Sequence, residues 1–569
     1  MKYQNYPVEC YDNLKQMLKA SAKKYGEKTL FMQKENGAYR HYSYADYWAD
    51  VNGLGTVLLG MDLRGKQILL IGENCYAWVT AYMAVTCGVG TVVPLDAELS
   101  AEEIARIAAI SGAEAVIFSD SLLPKLSKLG EQVKKIPFSS LPKYTALGKK
   151  QIKSGDHVYL RANPEPREMC AMLFPSGVTG EMRGVMLSHH NLCFNLSEVC
   201  RMVYIDERDV FLSVLPLHHV YECTCGFLCQ VYRGCTVAFS EGLKFLGKNM
   251  KEVHPTVMNC VPSMLDGMHQ RVWAHIRGIG AEEKVRRMID VTNAIPNPKL
   301  RMTAKKRAFS AIHRSFGGSL RLLITGGASA SPDVLKGFRD LGILALQGYG
   351  MTECSPVVAL NRDTCYRDDS AGIPTPNGLL DIADMQDDGV GEIRYRGDSV
   401  MLGYYGMPEL TREVIHDGWY YTGDMGYLDS DGFLHITGRK RNVIRRTDGK
   451  TVFPEELELA LCRSAFVAEA VVVGYSDPRG GEPHIVALLH ADFRHVHEVF
   501  GKDVTQAQLE NALRRAVAEA NGSLPDYKRI ETFLIREQEF PKTATRKIRR
   551  AGLAEAAYAE YRNKMTGNH

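Results

Sequence analysis

Ser176, Gly177, Thr179 and Gly180 lie within six residues, and Arg183 and Gly184 follow closely. Glycines let the backbone turn tightly and bring its N–H groups close to an anion. Hydroxyls add donors, and a guanidinium neutralises phosphate charge. The combination fits a loop for nucleotide polyphosphate. It is not the GxxxxGK[ST] loop, because no Gly-Lys-Ser/Thr occurs there. The competing reading is an ordinary glycine turn between two apolar runs. Other candidates are less telling by themselves. His218 and His219 read as a hydrogen-bonded core pair, Asp424 as a turn acid, and the basic run ending at Arg549 as a solvated tail. Seven cysteines lie between Cys193 and Cys260. Their spacing lacks two separated CxxC pairs, so buried thiols are favoured over a metal centre.

Taken in order along the chain, these segments resemble the AMP-forming acyl-CoA synthetase, luciferase and peptide-synthetase adenylation superfamily. The loop departs from the family pattern at Pro175, Val178, Met182 and Arg183. The match continues through Val214–Glu222, Ile324–Ser329, Gln347–Glu353, Tyr421–Asp424, Gly438–Arg441, Asp448–Glu456 and Phe540–Arg549, where Arg546 stands in place of the usual glycine. The resemblance implies an adenylate-forming ligase fold using ATP and Mg²⁺. It places Ser176, Gly177, Thr179, Gly180 and Arg183 on the phosphates, and Gly327, Gly348 and Tyr349 around adenine. It places Thr352 on phosphate, Glu353 on Mg²⁺, Asp424 on the ribose, and Arg439 on the ribose or phosphate. His219 would orient the substrate carboxylate, and Lys547 would be the catalytic lysine. Arg441 falls at the family's hinge, and Gly449 lies in the loop that serves the thiol step. The segments around His219, Asn442 and Glu455 look nearest to bacterial long-chain fatty acid–CoA ligases.

The elements that must position these residues follow an α/β rhythm. Gln67–Gly72, Thr91–Pro94, Ala115–Phe118 and Met169–Phe174 read as buried strands, with helices at Tyr76–Cys87 and Ser100–Ser111 between them. Ser100 followed by Glu103 predicts a capping box. Residues 140–167, with three prolines, read as a connection. Residues 418–437 read as a hairpin, and a smaller α/β unit follows, with a helix at Glu455–Cys462, strands at Ala470–Val473 and Ile485–Leu489, and a helix at Thr505–Asn521. The expected class is α/β. By the resemblance, a large N-terminal domain, residues 1–437, with mixed, mostly parallel sheets would bind nucleotide and acid, and a small mobile C-terminal domain, residues 438–569, would carry Lys547.

With 569 residues and 24% charged residues the chain is large enough for several cores. The formal charge of +3 is too mild to suggest nucleic acid, and basic residues look spread among acids rather than gathered in a stripe. No signal peptide or membrane-spanning run is evident, so a cytoplasmic protein is expected, with peripheral membrane contact left open. The small run after Glu222 (Cys223, Thr224, Cys225, Gly226) fits either an alkyl-chain tunnel or close helix packing. The expected substrates are a medium- or long-chain fatty acid, ATP and coenzyme A. An acyl carrier protein is the alternative acceptor, and an aryl acid the alternative substrate. A rival of another class is a catalytically weak nucleotide or acyl binder.

Overall fold

The computed structural model describes residues 4–175, 182–447, 450–475, 482–542, 548–550, 552–554 and 557–558. Ser176, Gly177, Thr179, Gly180, Gly449 and Lys547 therefore lie outside the described residues.

The strands expected early in the chain form one side of the large N-terminal body. Gln67–Ile71 is flanked in parallel by Thr91–Leu95 and Ala115–Phe118, and almost every side chain in the three strands is buried. Helices cover both faces, which is why these strands are apolar throughout rather than alternating. The sheet continues through Met169–Leu173, which pairs antiparallel with Val185–Ser188; the glycine-rich segment joins these two strands. A two-residue edge strand, Gly403–Tyr404, pairs with Val185–Ser188. The capping box at Ser100 forms as expected. The Glu103 carboxylate accepts from the Ser100 N–H at 2.8 Å, and the Ser100 hydroxyl accepts from the Glu103 N–H at 3.2 Å.

A second sheet carries most of the site. Thr236–Phe239, Val210–Ser213, Val257–Cys260, Leu322–Thr325 and Leu344–Gly350 run parallel, and Val357–Leu360 adds antiparallel, with Ile373–Pro374 beyond it at the edge. Their C-terminal ends bring Ser213, Thr325 and Tyr349 to one rim, the usual ligand-binding end of such sheets. A third, antiparallel sheet contributes Trp419–Leu428 and Leu434–Arg439. The second of these strands runs two residues past the domain edge expected after residue 437.

Residues 140–167 are not a plain connection. Leu141–Lys153 is a helix with Pro142 in its first turn, where a missing N–H costs nothing, and Val158–Arg161 forms a further helical turn. The longer helix packs so closely on Tyr44–Gly60 that a Cβ on Gly148 would sit 1.8 Å from the Gly53 carbonyl oxygen. Small residues at this crossing, rather than an apolar stripe, mark the contact. Beyond residue 443 the chain builds a separate core from Val467–Tyr475, His484–Ala491 and Thr532–Arg536 with helices Pro454–Leu461 and Gln506–Gly522.

Candidate active site

Asp424 and Arg439 face each other directly across the antiparallel pair formed by Trp419–Leu428 and Leu434–Arg439. That register sets the Arg439 Nε 2.7 Å from Asp424 Oδ1. The other carboxylate oxygen accepts the Tyr349 hydroxyl at 2.6 Å. Burial, and after it the Asp424 charge, push the Tyr349 hydroxyl well above its ordinary range, so it stays a donor. Burial opposes the Arg439 charge most strongly, but Asp424 together with Tyr349, Tyr420 and Glu353 outweighs it, and the guanidinium pKa is raised. The turn before Asp424 is held by Glu392, which accepts the Gly423 N–H at 3.0 Å and pairs with Lys440 at 2.5 Å. A carboxylate has about four lone-pair positions, so Asp424 can still accept ligand hydroxyls.

Glu353 sits in a short turn, Thr352–Cys354, fixed from several sides. Asn195 donates to the Cys354 and Val357 carbonyls, Thr224 donates to the Ser355 carbonyl, and the Met401 N–H donates to the Glu353 carbonyl at 2.8 Å. The Glu353 side chain accepts the Tyr404 hydroxyl at 2.9 Å on one oxygen. Arg183 lies 5.9 Å from the centre of the same Tyr404 ring, within cation–π range. Tyr404 thus joins the predicted phosphate arginine to the predicted metal ligand. Sequence reasoning missed it. It comes from an edge strand whose partner lies more than 200 positions away, and no local motif marks it. Glycines in this region are partly structural. A Cβ on Gly348 would meet Leu360 at 2.8 Å, and one on Gly350 would meet the Pro356 carbonyl oxygen at 2.1 Å. Gly327 turns with φ +87°, a backbone state that excludes most side chains.

On the acid side, His218 and His219 pack with ring centres 4.3 Å apart. Burial lowers His218 to a pKa of about 4, so it is neutral at physiological pH. A π-helical turn, Glu222–Leu228, follows. Its first residue, Glu222, is 1% exposed and accepts from Ser213 at 2.8 Å and Asn259 at 3.2 Å. Burial raises its carboxyl to about 8 despite those donors. A Cβ on Gly226 would fall 2.4 Å from the Glu222 carboxyl carbon, so this glycine makes room for the acid group. The small run divides between close packing and cavity wall. Gly226 and Cys223 are packing residues, while Cys225 lines a cavity.

That cavity, about 2600 Å³, brings the described site residues together. It is lined by Arg183, His219, Gly327, Gly348, Tyr349, Thr352, Glu353, Asp424 and Arg439. It also reaches Val199, Cys200, Val203, Cys225 and Cys229, residues of the main apolar core. Among the described residues no group of three or more His, Cys, Asp or Glu side chains could hold a metal ion alone. Mg²⁺ needs only one or two carboxylates when substrate phosphates complete its shell, and Glu353, with one oxygen bonded to Tyr404, fits that role.

The sequence profile of the AMP-binding enzyme family matches residues 18–405, and that of the AMP-binding enzyme C-terminal domain matches 456–547. The chain belongs to the AMP-binding enzymes. It is 30% identical over 500 residues to long-chain-fatty-acid–CoA ligase 5 of Rattus norvegicus, covering 79% of this chain and 71% of that protein. It is 26% identical over 543 residues to a long-chain-fatty-acid–CoA ligase of Mycobacterium bovis, covering 88% of each. Among solved structures, an anthranilate CoA ligase in complex with anthranoyl-AMP superposes with a TM-score of 0.75 at 20% identity, over 98% of this chain and 99% of that one. At that identity the superposition establishes the shared fold.

Proposed function

We infer that this AMP-binding enzyme activates a fatty acid with ATP to an acyl-adenylate and passes the acyl group to the thiol of coenzyme A. The observation that carries the reading is the single cavity, polar at Tyr349, Asp424, Arg439 and Glu353 and apolar at Val203, Cys225 and Cys229. A nucleotide and an alkyl chain need those two linings in one enclosure.

A carboxylate is a poor acyl donor because its leaving group would be oxide. Attack of the carboxylate oxygen on the α-phosphate, with pyrophosphate leaving, creates a mixed anhydride whose AMP leaves readily. Catalysis of this step is positioning plus stabilisation of phosphoryl charge. Asp424 and Arg439 hold the ribose, Tyr349 presents its ring to adenine, and Thr352 donates to phosphate. Arg183 meets the departing pyrophosphate, and His219 orients the acid. Mg²⁺ held through Glu353 would neutralise charge on the phosphates. Ser176, Gly177, Thr179 and Gly180 complete the phosphate loop in this proposal. Lys547 supplies the cation of the first step, and Gly449 lies in the segment serving the thiol step. The division at 437/438, with Arg441 as hinge, separates the two half-reactions.

Trapping acyl-AMP as a hydroxamate, with ATP, Mg²⁺, hydroxylamine and acids of graded chain length, tests the reading. Hydroxamate from medium or long fatty acids is the expected result. A preference for aryl acids would replace the substrate class, and nucleotide binding without hydroxamate would replace the enzyme by a binder. Competition between free coenzyme A and purified acyl carrier protein identifies the acceptor, with coenzyme A expected.

A further inference from the structure

Charge is far from evenly spread along this chain. Residues 271–314 hold eleven lysines and arginines against three acids, a net +8 in a protein whose total is +3. Everything outside this segment therefore sums to −5. The expectation of basic residues dispersed among acids fails here, because the whole-chain figure averages a basic segment against an acidic remainder.

The segment forms a layer of helices, Pro262–Gly278, Glu282–Asn293 and Pro298–Ala308, at the edge of the large body. Its inner side is anchored to the helix Pro332–Asp340. Asn293 donates to Asp340 at 2.9 Å, and Lys305 donates to the Arg339 carbonyl at 2.8 Å. The outer side follows helical spacing. Lys284, Arg287 and Val291 are exposed at i, i+3 and i+7, as are Lys299, Met302 and Lys306, and Leu300, Thr303 and Arg307. Large apolar side chains stand out among these cations, with Ile279 at 64%, Val291 at 64% and Leu300 at 63% exposed. The same layer reaches the cavity. Gln270 and Arg271 line it while exposed, as does Leu243 on a neighbouring turn, so they form its rim. Arg271 lies about two helical turns, or roughly 10 Å, from Gly278. Among the described residues no helix is long and apolar enough to cross a membrane.

We propose that the outer face of helices Glu282–Asn293 and Pro298–Ala308 docks this enzyme on an anionic lipid bilayer, with the rim at Leu243 and Arg271 turned toward that surface. Cations alone would suit any polyanion. Exposed Ile279, Val291, Leu300 and Met302 among them suit a surface with anionic headgroups over hydrocarbon. The docking deepens the functional reading above and rests on it in one respect: an acid drawn from the bilayer would enter at the adjoining rim.

Cosedimentation of the full chain with vesicles tests the proposal without turnover. Vesicles containing phosphatidylglycerol should bind the protein, less strongly as salt rises, and phosphatidylcholine vesicles should bind it weakly. Neutralising Lys299, Lys306 and Arg307 to Gln should weaken partitioning on the order of 100-fold, from about fivefold per cation near an anionic surface. Leu300→Ser should weaken it further while the salt dependence persists. Both variants should keep wild-type hydroxamate formation on a soluble acid in vesicle-free buffer and lose rate on acid supplied in anionic vesicles. Absence of binding to anionic vesicles at low salt overturns the proposal. So does binding unchanged by the triple variant, or a patch that instead captures acyl carrier protein or RNA. Vesicle binding without activity on any acid would leave the docking intact and overturn the ligase reading.

Discussion

The wall proposed for the nucleotide and the wall proposed for the acid handle ionisable groups in opposite ways. Asp424 is held by Arg439 and the Tyr349 hydroxyl, and the neighbouring Lys440 and Glu392 pair with each other. Around Glu222 and His218 burial keeps the groups neutral at physiological pH. One wall is set to receive a charged, hydroxylated ligand. The other can lie against an alkyl chain without presenting an uncompensated charge, which would be costly in an apolar setting.

The largest break in this contrast should come from Asp424→Ala. It leaves Tyr349 and Arg439 without their shared acceptor, and removing one partner of a buried charged network costs several kcal/mol. Hydroxamate formation should fall about 100-fold in kcat/KM for ATP, with a far smaller change in KM for the acid. Loss confined to the acid KM would reverse the assignment of the two walls. Tyr404→Phe comes next. It removes the donor to Glu353, worth about 1.5–3 kcal/mol for a bond to a charged group. Adenylation should slow at least tenfold, with a higher Mg²⁺ requirement, and an unaltered Mg²⁺ dependence would separate Tyr404 from the metal role.

Glu222→Gln sharpens the other side through pH. Its carboxyl is held near 8 in the fold against an ordinary 4.5. Between those values the native state keeps a proton that the unfolded chain has released, so raising pH across that window removes stability. The variant has no such proton. Its urea midpoint should gain on the parent steadily from pH 5 to pH 8, and a constant difference would mean that Glu222 is ionised in the fold. The smallest expected effect is that of Arg183→Lys, which keeps the charge and changes the guanidinium contact with Tyr404. A cation–π contact at a half-exposed site is worth about 0.5–1 kcal/mol. A two- to fivefold fall in adenylation rate is the expected outcome, and an unchanged rate would show the contact with Tyr404 to be idle.

Much of the proposed nucleotide wall is legible in the sequence because its members lie in short, ordered strings. Thr352 and Glu353 are adjacent, and Asp424 and Arg439 end up opposite through one hairpin whose turn signals are local. The buried strands were legible from unbroken apolar runs, and the helix starting after Ser100 from its cap. The helix Leu141–Lys153 was hidden by Pro142, which signals a break unless its place in the first turn is known. Tyr404 was hidden because an edge strand borrows its meaning from a partner, Val185–Ser188, remote in sequence. The neutrality of Glu222 was hidden because protonation depends on burial and donors from Ser213 and Asn259, which no local pattern announces.

The sequence by itself determined the α/β class, the order of the chemical segments and the identities of the groups proposed to touch ATP and an acid, since these reside in side-chain type and local spacing. Tertiary structure alone decided that Tyr404 links Arg183 to Glu353, that Glu222 is held as an acid rather than an anion, and that most basic residues of 271–314 turn outward beside the cavity rim. Those outcomes depend on distances and on exclusion of water between elements far apart in the chain, and a linear string of residues does not encode them locally.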